Sequence, residues 1–141
     1  MFNRNTSSGI RFAKANLNDV NGVLLLSDNW DNSMFALTNV NQADVGYNGN
    51  LITASMWNAL EQAGVVFLPS AGLRYEFSVY SDPSEGHGRY WTSSYGDGDC
   101  PTHAFELRFC DDHSITPSQS YLFTARGTRC DGESVRLVQD Y

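Results

Sequence analysis

Soft metal ligands are paired twice in the C-terminal third of this 141-residue chain: Cys100 with His103 and Cys110 with His113, each in a Cys-x2-His spacing. Four such side chains converging on one point would make a tetrahedral zinc site. The segment between the pairs argues against it. Residues 104–109 alternate apolar and polar, the period of a strand, and at about 3.3 Å per residue this sets His103 and Cys110 on the order of 23 Å apart. No metal site is expected. Asp97-Gly98-Asp99 opens like a calcium loop, yet an EF-hand loop counted from Asp97 needs glycine at its sixth position and glutamate at its twelfth. The chain has Thr102 and Arg108 there. Any of Cys100, Cys110 and Cys130 could pair with His87, His103 or His113 as nucleophile and base, but no local signature supports it. No glycine-rich loop of the phosphate-cradling kind is present, and Gly86-His87-Gly88 reads as a turn. The chain is therefore not expected to be an enzyme, and no cofactor is implied.

The elements that must position these residues are mostly strands. One helix is expected, from about Thr53 to Ala63: Thr53 is an N-cap type, Met56, Trp57, Leu60 and Ala63 share a face, and Gly64 is placed to end it. Short strands are expected at Ile10 to Ala13, at Val23 to Leu26 (buried on both sides) and at Val65 to Leu68, stopped by Pro69. Leu73, Tyr75, Phe77 and Val79 alternate with Arg74, Glu76 and Ser78, predicting one half-buried strand. Phe105, Leu107 and Phe109 alternate with Glu106 and Arg108 in the same way. Val135 and Leu137 flank Arg136 in a last strand, where the arginine is expected to tie down carbonyls or a carboxylate. Trp30, Trp57 and Trp91 are expected in the core. Long polar loops are expected at 81–88, 95–102, 110–120 and 126–133, and loops of that length are usually functional. The fold class is α+β, dominated by short strands and loops, in a single domain over 1–141.

Composition limits the partners. Sixteen acidic against nine basic residues give a formal net charge of −7, which disfavours nucleic acid, whose phosphates demand a basic face. No apolar run is long enough to span a bilayer, so membrane insertion is not expected. The first ten residues are polar and carry no secretory pattern. Three cysteines cannot all pair within one chain, so at least one thiol stays outside any internal disulfide. One compositional shift is abrupt. All twelve asparagines lie within residues 1–58, whereas the same frequency would place about 17 in the remaining 83.

The C-terminal half carries a resemblance. Tyr90-Trp91-Thr92-Ser93-Ser94 resembles the Tyr-Trp-Ser-Ser-(Ser/Thr) segment of the Fibrobacter major paralogous domain and its relatives in gut bacteria. There it precedes a strand, a loop ending in proline and a terminal Gly-x-Ser-Val-Arg-x-Val; here these are Ala104 to Phe109, Pro117, and Gly132-Glu133-Ser134-Val135-Arg136-Leu137-Val138. Gly22-Val23-Leu24-Leu25-Leu26 with Trp30, and Trp57 with Val65 through Gly72, fit the same pattern upstream. The family is similar to C-type lectins, in the branch shared with formylglycine-generating enzymes and with the variable proteins of diversity-generating retroelements. The cysteines do not match the catalytic arrangement of those enzymes.

The resemblance implies a C-type lectin-like frame whose segment 90–138 displays diversified side chains. In such variable proteins, reverse transcription at template adenines turns AAY asparagine codons into NNY, which never encodes Lys, Glu, Gln, Met or Trp. Between residues 95 and 131 those five types occur only as Glu106 and Gln119. Relatives look asparagine-rich where this chain has Asp97, Gly98, Asp99, Cys100, His103, Cys110, Asp111, Asp112, His113, Tyr121, Cys130 and Asp131, all reachable from AAY. Aromatic and arginine anchors are expected at Tyr95, Tyr121, Phe123, Arg108 and Arg126, with the remaining positions tuning complementarity. The expected partner is a protein or glycan on another cell or surface, the carrier a phage particle or bacterial surface, and the isolated domain a monomer. The other class open to the sequence is a structural or adhesive domain of a surface appendage.

Overall fold

A computed structural model describes residues 12–27, 30–33, 35–42, 45–80, 86–95, 102–110, 123–129 and 132–135, with the backbone alone at 75, 80, 92–95 and 123–126. These residues form a mixed α+β fold with one α-helix among them and mostly strands. The chain divides into two compact units, 1–68 and 69–141.

In the first unit, β1 (Phe12–Leu17) and β2 (Val20–Leu25) form an antiparallel hairpin, paired from Phe12↔Leu25 to Leu17↔Val20. Asn18 and Asp19 make the turn, both with positive φ (49° and 67°), the two-residue geometry whose twist matches that of the strands. Asn16 Oδ1 accepts from the Asp19 amide at 2.9 Å and helps hold it. The strand expected at Ile10 to Ala13 is described from Phe12 and runs on to Leu17, Ile10 and Arg11 lying outside the described residues. The sheet order is β3-β1-β2-β4, with β3 (Leu51–Ile52) parallel to β1 and β4 at Val66–Pro69. Pro69 closes β4 from within, not from just beyond its end.

Helix α1 (Ala54–Gln62) starts where Thr53 Oγ1 accepts from the Met56 amide. It ends in a Schellman arrangement: Gly64, φ +82°, donates to the Glu61 carbonyl and Val65 to the Leu60 carbonyl. Leu60 and Val65 are both buried, supplying the apolar contact that accompanies this cap. Met56, expected on the apolar face, is 40% exposed. The core joins Ala13, Ala15, Leu24, Leu26, Leu37, Ile52, Leu60, Val65 and Phe67, with Trp30 and Trp57 packed against it. Gly22 is required by close approach: a Cβ there would stand 2.4 Å from the Leu68 carbonyl oxygen. Among the described residues of this unit, two polar side chains are buried. Asn50 bonds the Lys14 and Thr38 carbonyls and the Thr38 amide, all at 2.8–2.9 Å. Lys14, the chain's one lysine, lies 5.3 Å from the centroid of the buried Tyr47 ring.

In the second unit, the segment expected to be one strand is a hairpin, β5 (Leu73–Tyr75) and β6 (Ser78–Tyr80), turning at Glu76-Phe77. Glu76 takes φ +52°. Phe77, read as buried, sits at the tip and is 97% exposed, and Val79 is 70% exposed. Strands β7 (Gly88–Tyr95), β8 (His103–Phe109) and β9 (Phe123–Thr128) form an antiparallel sheet with β8 at its centre. β9 takes up the first part of the loop expected at 126–133. Gly132 and Ser134 make single bridges to Arg74 and Tyr90. The expected strand around Val135 is thereby corrected: the described part consists of isolated bridges, and Val135 is 65% exposed. Arg136 and Leu137 lie outside the described residues.

Candidate functional site

The expected display residues attach to the β7–β8–β9 sheet, so its register decides where they leave the frame. Strand β8 pairs Ala104 with Tyr95 and Gly127, Leu107 with Tyr90 and Thr124, and Arg108 with Arg89 and Phe123. The frame is held by one strand face on which Leu107 and Phe109 are buried, and Tyr90 stacks on Phe109 with ring centroids 6.2 Å apart. The Tyr90 hydroxyl donates to the Pro69 carbonyl at 2.7 Å. Gly88 lies under the Phe109 ring, which a Cβ would meet at 2.0 Å.

Pairing separates the candidates between two ends of β8. Tyr95 and His103 stand at its start, beside Thr128 at the end of β9. Arg108, Phe123 and Cys110 stand at its finish, and Arg126 pairs with Phe105 between them. His103 is half-buried; its Nδ1 lies 3.1 Å from Thr102 Oγ1, and its carbonyl accepts from Arg129 Nε at 3.1 Å. Cys110, half-buried, is not in a disulfide. Asp97, Asp99, Cys100, Asp111, Asp112, His113, Tyr121, Cys130 and Asp131 lie outside the described residues. His103 opens β8 and Cys110 follows its last residue, Phe109. Among the described residues, no group of three or more His, Cys, Asp or Glu side chains is placed to hold a metal.

The opposite phase of β8 holds what sequence reasoning missed. Glu106, expected on the solvent side, is completely buried. Its Oε1 is engaged by Arg108 Nε and lies 4.0 Å from an Arg89 guanidinium nitrogen. Burial of an ionised carboxylate is tolerated when guanidinium groups accompany it. Arg108, expected as a ligand anchor, therefore serves this carboxylate, with 31% of its side chain exposed. Gly127 leaves room: a Cβ there would stand 2.9 Å from the Glu106 carboxyl and 3.0 Å from Glu133 Oε1. No signal within β8 could have found Glu106, because two-residue alternation assigns it to solvent.

The first unit contributes a separate groove of about 410 Å³, lined mainly by Phe35, Leu37, Leu51, Ile52, Met56 and Leu60. Asn50 borders it with its amide already bonded. Comparison of the chain with protein-family models, with curated proteins and with solved structures finds no match.

Proposed function

We propose that this chain is a ligand-binding variable protein: a stable C-type lectin-like frame of the Fibrobacter major paralogous type, presenting a C-terminal surface diversified by a retroelement. One observation carries the reading. The buried side chains of the β7–β8–β9 sheet (Tyr90, Glu106, Leu107 and Phe109) are not among the positions expected to vary, and Arg108, expected as an anchor, belongs with them through its pairing with Glu106. Strands β7, β8 and β9 bracket the segments 96–102 and 110–122, which limits the entropy lost on binding. The ligand is a protein or glycan on another cell or surface, and the carrier a phage particle or bacterial surface. Sequencing the neighbouring DNA tests this. The proposal expects a reverse-transcriptase gene and a near-copy of the DNA encoding the C-terminal segment, differing mainly at adenines. An intact locus with neither element overturns it.

Exposed Phe77 and Val79 favour a second reading, a subunit of a surface appendage that packs this hairpin against a neighbour. Sedimentation of the purified chain separates the two. A monodisperse monomer at high concentration rules out the appendage, and concentration-dependent polymers rule out an isolated display domain.

A further inference from the structure

The sheet of the first unit ends on an edge with open backbone groups. In the order β3-β1-β2-β4, β3 pairs with β1 on one side only among the described residues. The Asn50 carbonyl accepts from the Asn16 amide at 2.9 Å and the Ile52 carbonyl from the Asn18 amide at 3.3 Å, so both face β1. Successive residues of a strand turn their backbone groups to opposite edges. The N–H and C=O of Leu51 therefore face away from the sheet, and Leu51 is exposed. The groove of about 410 Å³ starts at this same residue and continues along Phe35, Leu37, Ile52, Met56 and Leu60. Its volume is that of a cleft able to hold a ligand. Its lining carries no charge, and the Asn50 amide is bonded to Lys14 and Thr38. Across segments 35–42 and 45–62 the one charged residue is Glu61, so an uncharged occupant is matched best. That occupant must offer a donor and an acceptor to the Leu51 backbone and an apolar group to the groove. An extended peptide carries both, in the alternation of a strand. An apolar small molecule would fill the groove and leave the Leu51 amide to water.

We propose that the β3 edge binds an extended, uncharged peptide segment of a partner protein as an added strand. A peptide residue set directly opposite Leu51 in antiparallel alignment exchanges two hydrogen bonds with it, and an apolar side chain of the peptide enters the groove. An open strand edge beside exposed apolar side chains, here Leu51 and Met56, is a liability unless something covers it. β3 is two residues long, so the added pairing is short and the complex exchanges readily. This surface lies outside segment 90–138 and serves the frame whichever residues are diversified.

Titration of the intact chain with the uncharged, alternating peptide acetyl-Thr-Val-Thr-Leu-Thr-Val-Thr-amide tests the site, with hydrogen exchange at the Leu51 amide as the readout. Saturating peptide is expected to slow that exchange tenfold or more. The same peptide N-methylated at every residue keeps its side chains and loses its donors, and is expected to bind at least tenfold more weakly. Met56→Asp sets a charge at the groove from a partly exposed helix position and is expected to weaken the unmodified peptide tenfold or more. Equal binding of the N-methylated peptide makes the groove a site for apolar molecules and overturns the proposal. So does unchanged Leu51 exchange, or no binding up to about 1 mM peptide. Protection of Leu51 that rises with the concentration of the chain alone assigns the edge to a second copy and overturns it as well.

Discussion

The two compact units bury polar groups in contrasting ways. In residues 1–68 the sheet is covered by aliphatic and aromatic side chains, and the buried Asn50 amide is satisfied at both ends by the Lys14 and Thr38 backbone. In residues 69–141 the central strand buries Glu106 beside Arg108 and Arg89, with its Oε2 given no hydrogen bond. The Asn50 amide in the first arrangement carries no titratable group. The second ties strand pairing to charge, so a single substitution can leave uncompensated charges inside.

The largest expected effect lies in the second unit. Glu106→Ala leaves Arg89 and Arg108 without their shared carboxylate and lowers stability by about 3–5 kcal/mol, measured by chemical denaturation. A change under about 1 kcal/mol would show that the cluster is solvated. In the first unit, Leu24→Ala removes a fully buried side chain at about 2–5 kcal/mol. Its pH dependence should match that of the parent chain, whereas that of Glu106→Ala should not. Asn50→Ala follows at roughly 1–3 kcal/mol, since it orphans buried backbone groups; parity with Leu24→Ala would mean that the amide organises more of the unit than its own bonds. Smallest are Phe77→Ser and Val135→Ala, both at exposed positions and expected within about 0.5 kcal/mol of the parent. A large loss in either would reveal a covered surface.

Legibility in the sequence followed the same division. The helix could be read because its cap residues act locally: Thr53 bonds three residues ahead, and Gly64 alone accepts the left-handed turn cheaply. The β5–β6 hairpin could not. Leu73, Tyr75, Phe77 and Val79 keep an unbroken two-residue period straight through the turn, and Glu76 takes a positive φ without glycine, asparagine or proline to announce it. The β1–β2 turn did carry a signal in Asn18-Asp19, residue types that tolerate that conformation. Glu106 was misplaced because alternation assigns charged residues to solvent. Its neighbours Arg89, Gly127 and Glu133 come from three other parts of the chain, a convergence that no single-segment pattern contains. Of the expected site, the strand positions Tyr95, His103, Arg108, Phe123 and Arg126 have defined registers, and Arg108 proved to be committed to the frame.

The central claim is that the frame and the displayed residues are energetically separate, and one thermal melt addresses it directly. A chain carrying Asp97→Ala, Asp99→Ala, Asp111→Ala, Asp112→Ala, His113→Ala, Tyr121→Ala and Asp131→Ala together should unfold cooperatively within about 4 °C of the parent, the shift that about 1 kcal/mol produces in a domain of this size. A melting temperature lowered by about 15 °C or more, or loss of cooperative unfolding, would show that these residues hold the frame together and would contradict the account.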